Sequence, residues 1–256
     1  MRFLALLQYR AAAVAAMTTN WAFGMMRVMV MMAFYKSAKG AQPLSLEQSV
    51  NYIWMGQMLL SILPWNLDKE ISNSVISGQV AYELTRPIDI YTMWFMRTLA
   101  YRVAPTVMRI LPMFVIYLIL PAGYRLQLPG ITAFCAWAAS MIGAVLLSVS
   151  ITSLMHSYVL VMQRVDGLVR VVNALAELLS GMIIPLSLMP DMLAGFLRYQ
   201  PFAGVIDLPV QLFCESLAPG DVWWVMALQF GWALIFIAAG RAVTNKGLKQ
   251  IVLAGG

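Results

Sequence analysis

Charge is the scarcest property of this sequence. Only 11% of its 256 residues are Asp, Glu, Lys or Arg, against roughly 25% for an ordinary soluble domain. Hydrophobic residues make up 61% and the mean hydropathy is +0.78. A water-soluble fold of this length has too little interior to hide so much apolar surface, so the bilayer is its solvent. Histidine occurs once, as His156. That rules out a His-pair metal site and leaves any Ser-His-Asp triad dependent on a single residue. Cysteine occurs twice, at Cys135 and Cys214, too few for a disulfide framework; they form either one external bridge or two free thiols. No G-x-x-x-x-G-K-[ST] run is present, so this chain does not bind ATP through a phosphate loop. The start lacks the ordered cationic, apolar and small-residue regions of a cleaved secretory signal, so the N-terminus is expected to be retained. The basic excess of six is scattered rather than clustered, which gives no nucleic-acid surface; its use is in setting membrane orientation.

What the chain does have is long apolar segments. A helix needs about 20 mainly apolar residues to cross a ~30 Å hydrocarbon core, and six stretches qualify: Thr18–Tyr35, Gln48–Leu67, Ala104–Ala122, Ile131–Ile151, Leu168–Ser187 and Val222–Gly240. The fourth lies in Leu126–Gln163, which is uncharged for 38 residues. Its remainder is expected to continue as a helical stalk carrying His156 on a polar face. Residues 1–17 read either as an interfacial helix or as an extension of the first span. From Pro185 at the end of the fifth span to Pro219 before the sixth lie five prolines and two apolar pieces too short to span, Met192–Tyr199 and Phe202–Cys214. They predict a re-entrant or interfacial hairpin. No internal repeat or linker divides the chain, so residues 1–256 read as one domain.

The basic residues give the expected orientation. With the N-terminus inside, Arg2, Arg10, Lys69, Arg86, Arg97, Arg102, Arg109, Arg164, Arg170, Arg241, Lys246 and Lys249 share the cytoplasmic face. Lys36, Lys39, Arg125 and Arg198 fall outside. This asymmetry obeys the positive-inside rule, so both termini and the Asp68–Arg109 region are expected in the cytoplasm.

That charged, aromatic-rich region is long for a membrane-protein connection and marks a surface for a soluble partner. Ile71–Val80 has the spacing of a short amphipathic helix with Ile71, Val75, Ile76 and Val80 on one side, and Gly78 loosens its end. The aromatics of Ile88–Arg102 are expected at the membrane interface. Two ionisable groups, Arg27 and Glu177, fall in mid-span, where such residues usually face a partner or a wet cavity. They are expected either to meet beside a substrate route, or to form a structural pair, or Arg27 snorkels outward. Gly181 and Pro185 weaken the fifth helix, which suits a route or a kink. A proton-coupled carrier or membrane-embedded enzyme built on Arg27 and Glu177 is the rival reading; it lacks the clustered acids and histidines such proteins usually show.

The run S-G-Q-V-A-Y-E-L-T-R-P at Ser77–Pro87, followed by an aromatic-rich helix, resembles the coupling segment of ABC type-2 exporter permeases, where a G-x-(I/V)-x-Y-x-L-x-R-P pattern joins spans two and three. S-G-x-x-x-P at Ser180–Pro185, the hairpin with Gln200-Pro201-Phe202 and the terminal Gly255-Gly256 agree. The viologen-exporter-like branch is the most similar. The resemblance implies an all-α membrane protein of six transmembrane helices with an N-terminal interfacial helix, a cytoplasmic coupling helix and an outer re-entrant hairpin, in a bacterial inner membrane. It also implies a transport subunit rather than an enzyme. Two copies of an ABC ATPase would carry the ATP and Mg, and a second permease chain, related or identical, would complete the route within membrane lipid. The coupling residues would be Ile71, Val75, Gly78, Gln79, Tyr82, Glu83, Leu84, Arg86 and Pro87; the route would be lined by Arg27, Glu177, Gly181 and Pro185.

Overall fold

The computed structural model describes residues 10–37, 42–162 and 164–254. Among them every regular element is a helix. In chain order these are α1 (Arg10–Ser37), α2 (Leu46–Leu59), α3 (Lys69–Ile76), α4 (Val80–Leu84), α5 (Ile90–Ile119), α6 (Ile131–Met162), α7 (Asp166–Leu179), α8 (Asp191–Tyr199), α9 (Asp207–Phe213) and α10 (Val222–Ala254). Single 3-10 turns follow α2 at Leu60–Ile62, precede α8 at Leu186–Leu188 and open α10 at Pro219–Asp221.

Ile90–Ile119, Ile131–Met162 and Pro219–Lys249 are long and apolar enough to cross a membrane. The 32-residue α6 is ~48 Å long at 1.5 Å per residue, so the residues after Ile151 continue the same helix without a break. It packs along α10 through most of its length and is the most buried of the three. α2 packs against α1 and α5, and its residues from Ser49 to Leu59 are almost all inside. Trp54 of α2 stacks on Tyr117 of α5 with ring centroids 4.1 Å apart, and Met55, Met58 and Leu59 meet Leu147 and Phe213 in the main core. A capping box at Ser45 and Gln48 starts α2, satisfying two orphan N-terminal donors. Pro64 and the 3-10 turn stop it.

Several expectations change here. The aromatics of Ile88–Arg102 lie on the same helix as the third span: α5 is continuous from Ile90 to Ile119, and Asp89 caps its start through the Thr92 amide and hydroxyl. The helix of the third span therefore starts well before Ala104. The fifth is helical over only 14 residues, ~21 Å, before the backbone turns at Ser180-Gly181. Arg10–Ser37 is one helix, so residues 10–17 extend the first span; the rest of the expected surface helix, like the Gly255-Gly256 end, lies outside the described residues. The two cysteines are both free, Cys135 exposed and Cys214 buried.

Candidate functional site

Two regions at opposite ends of α2 collect the polar chemistry. At one end, α3 and α4 lie against the start of α5 and the end of α6. Asp68 caps α3 by accepting from the Glu70 amide. Ile71 and Val80 are buried against Ile90, Trp94 and Leu160, with Val75 partly covered. Ile76, expected on the same side, is instead 63% exposed, because α3 stops there and the chain turns through Gly78. That residue has φ +75°, a left-handed conformation that glycine adopts without the Cβ clash. The Gly of the coupling pattern is thereby explained.

The mounting of this element is polar and specific. Glu83 accepts from Trp94 Nε1 and from Arg97 Nη1, each at 2.8 Å, and Arg97 also reaches Glu70 at 3.5 Å. Glu83 thus points inward onto α5 and is not free for a partner. What faces out is a tip running from Ile76 through Gln79, Tyr82, Leu84, Arg86 and Pro87 to Ile88, all exposed.

The connection from α2 into α3 is fastened at four backbone groups. Ser148 Oγ donates to the Ile62 carbonyl. Arg102 Nη2 donates to the Asn66 carbonyl at 2.9 Å and to Thr152 Oγ1 at 3.1 Å, and its Nη1 lies 3.5 Å from the Ser61 carbonyl. The Asp68 amide donates to His156 Nε2 at 3.0 Å. Since Nε2 accepts, the imidazole proton sits on Nδ1, which faces Thr98 Oγ1 at 3.4 Å. His156 is therefore fully buried and structural, not on a polar face as its sequence context suggested. Any movement of α3 must pull on α5 and α6 through these bonds.

At the other end, α1, α2 and the segment after α7 enclose a cleft of about 410 Å³. Arg27, Tyr52, Met182, Ile183 and Pro185 line it, with Met and Phe side chains of α1. Arg27 Nη1 donates to the Met182 carbonyl at 3.0 Å. Glu177 is exposed on α7 and makes no ion pair with Arg27. Of the four expected route residues, the structure brings Arg27 and Pro185 to one cleft, sets Gly181 behind it and leaves Glu177 apart. The losses in stability caused by Arg27→Leu and Glu177→Leu are accordingly expected to add within about 0.5 kcal/mol in the double variant; thermal unfolding of the three variants measures this.

Behind the cleft is a buried group that sequence reasoning missed. Tyr52 OH lies 2.6 Å from Asp207 Oδ1 and 3.1 Å from the Gly181 carbonyl. Asp207 also accepts from the Leu186 amide at 3.1 Å and from Gln211 Nε2 at 2.6 Å. Gly181 has φ +77°, and a Cβ there would meet Tyr52 OH and, at 2.7 Å, Asp207 Oδ1; both geometry and space require glycine. Gln200 adds a second tie, donating to the Leu179 carbonyl at 2.6 Å and accepting from the Phe202 amide. The S-G-x-x-x-P and Q-P-F motifs are two halves of one fastening between the end of α7 and the hairpin. The available signal was that Asp207 is the single acid in the apolar run Met192–Cys214.

A model of the ABC-2 family transporter proteins matches residues 21–255. The chain belongs to that family. It is a membrane permease of an ABC transporter, and both fastened regions lie within the matched residues. No curated protein and no solved structure matches it. In this ABC-2 permease the described residues include no group of His, Cys, Asp and Glu fit to hold a metal; its polar chemistry is concerned with holding helices together, at Asp207 and at Arg102.

Proposed function

We propose that this permease is half of the membrane unit of an ATP-driven exporter, of the viologen-exporter-like branch, in a bacterial inner membrane. The whole chain acts as one domain that crosses six times with both termini in the cytoplasm. A separate ATPase subunit, present twice, carries ATP and Mg and docks on the tip of Ile71–Pro87; a second permease chain, identical or related, closes the route. The substrate passes beside Arg27, Gly181 and Pro185, and closure of the ATPase subunits drives the change of access.

The observation that carries this reading is the tip itself. Tyr82 is 78% exposed and Ile76 63%, on an element whose other face is pinned by Glu83, Trp94 and Arg97. Apolar side chains held in water on a rigid mount suit a docking surface. The four fastened backbone groups between Ser61 and Asp68 offer the way from that surface into the spans. α1 and α7 also leave apolar faces uncovered, as a chain that works beside a second permease would.

Affinity purification of the tagged chain from native membranes tests the reading. A chain with a phosphate-binding loop is expected to copurify, and the complex to hydrolyse ATP. Recovery of the permease by itself, with no hydrolysis in the same membranes, would contradict it.

A further inference from the structure

Where α2 ends, its last 3-10 turn and the α5 helix leave a crevice of about 300 Å³ between them. Arg102 and Arg109 both line it. They are seven residues apart, about two helical turns and ~10 Å along α5, so both guanidinium groups serve one side of the helix. No carboxylate lines the crevice, and neither arginine has an ion-pair partner among the described residues. Arg102 is 3% exposed, yet its Nε has no hydrogen-bond partner, and neither has the buried Oγ of Ser61, which also lines the space. Arg109 is half-buried and its side chain makes no hydrogen bond among the described residues. Two cations and two orphaned donors in a span are costly unless an anion satisfies them.

The walls indicate what kind of anion. Trp65, Tyr101 and Pro105 form the apolar part, and tryptophan and tyrosine are the residues that settle at lipid head-group level. Farther along the same side of α5, Ile116, about two turns beyond Arg109, is 43% exposed and Ile119 76%, an apolar track on which a hydrocarbon chain can lie. The crevice is also on the side of the bundle that holds the coupling element, the side to which the basic residues point as cytoplasmic.

We infer that this crevice binds the phosphate ester of an anionic phospholipid, with Arg102 and Arg109 on the phosphate oxygens, Ser61 Oγ as a further donor and an acyl chain along Ile116 and Ile119. Basic pockets between transmembrane helices on the cytoplasmic side are suited to such head groups. Arg102 would then join the lipid to the Asn66 carbonyl that it already holds, so the lipid stiffens the base of the coupling element. The inference does not depend on which subunit docks at the tip.

The test is native mass spectrometry of the purified full chain released from nanodiscs of mixed phosphatidylglycerol and phosphatidylcholine. The wild type is expected to retain phosphatidylglycerol in preference to phosphatidylcholine. Arg109→Gln should weaken that retention about tenfold, the loss of one charge-assisted contact, and Arg109→Lys should keep most of it. Because Arg109 holds no other group, these variants leave the fold intact; an unchanged thermal midpoint in lipid-free detergent confirms that. Equal retention of the two lipids by the wild type, or undiminished phosphatidylglycerol on Arg109→Gln, would overturn the site. Added inorganic phosphate is expected not to displace the lipid at millimolar concentration; displacement would assign the crevice to free phosphate instead.

Discussion

Asp207→Ala is expected to lower the stability of the purified permease by about 3–5 kcal/mol. The substitution leaves three donors without their acceptor: Tyr52 OH, the Leu186 amide and the Gln211 side chain. An unsatisfied buried donor costs roughly 1–3 kcal/mol, and Asp207 is 1% exposed, so water does not readily replace the carboxylate. Part of the loss is recovered because Tyr52 can turn wholly to the Gly181 carbonyl, which puts the total below the simple sum. Asp207→Asn keeps one acceptor oxygen in place and is expected to cost less than half as much. Thermal unfolding in detergent, followed by near-ultraviolet circular dichroism, ranks the three proteins. Equal midpoints for wild type and Asp207→Ala would mean that the hairpin is held by its apolar contacts and not by this carboxylate.

The consequence for function is mechanical. Asp207 and Gln200 hold α8 and α9 to the end of α7, and Tyr52 holds both to α2. On the far side Arg198 stacks over Trp224 at 4.7 Å and Trp232 donates to the Tyr199 carbonyl at 2.9 Å, so the hairpin is also tied to α10. A change of access that moves α2 must carry this hairpin with it. Past the other end of α2, its connection to α3 is fastened to α5 and α6 at the Ser61, Ile62 and Asn66 carbonyls. One central helix therefore joins the two regions.

Much of this was legible in composition. Scarce charge and long apolar runs require a membrane solvent, and α6 and α10 cover the runs that hydropathy marks. The coupling pattern predicted both an amphipathic element and its glycine, and Ile71, Val75 and Val80 are on the expected side. Hydropathy did not tell where α5 begins, because Asp89, Arg97 and Arg102 interrupt the apolar run while the helix passes through them. It also overstated the fifth span, since apolar residues after Gly181 continue in a turn rather than a helix. Long-range polar pairing was the least visible. Arg27 and Glu177 stood out as charges in apolar runs, yet Arg27 finds a carbonyl and Glu177 the surface. The pair that does form, Tyr52 with Asp207, is 155 residues apart, and no local spacing encodes it. His156 looked polar by residue type, and only the fold shows that it serves the Asp68 amide.

The second large effect is expected at the tip of the coupling element. Tyr82 and Arg86 are exposed on it and make no side-chain hydrogen bond among the described residues, so Tyr82→Ala with Arg86→Ala should leave folding and membrane insertion unchanged. Aromatic and arginine anchors at an interface centre commonly contribute 2 kcal/mol or more, and losing both should weaken docking by about 100-fold or more. Glu83→Ala acts differently: it releases Trp94 and Arg97, loosens the mount and should lower the thermal midpoint of the permease itself. Substitution of Tyr82 and Glu83 together would mix the two effects, so the Tyr82 and Arg86 pair is the cleaner variant.

Copurification of ATP hydrolysis with the tagged Tyr82→Ala, Arg86→Ala permease, measured beside the wild type at equal permease recovery, puts the docking surface to the most direct trial. Loss of the ATP-hydrolysing chain from the variant, with its thermal midpoint unchanged, is the predicted result. The same amount of ATPase on variant and wild type would contradict a docking role for the tip of Ile71–Pro87.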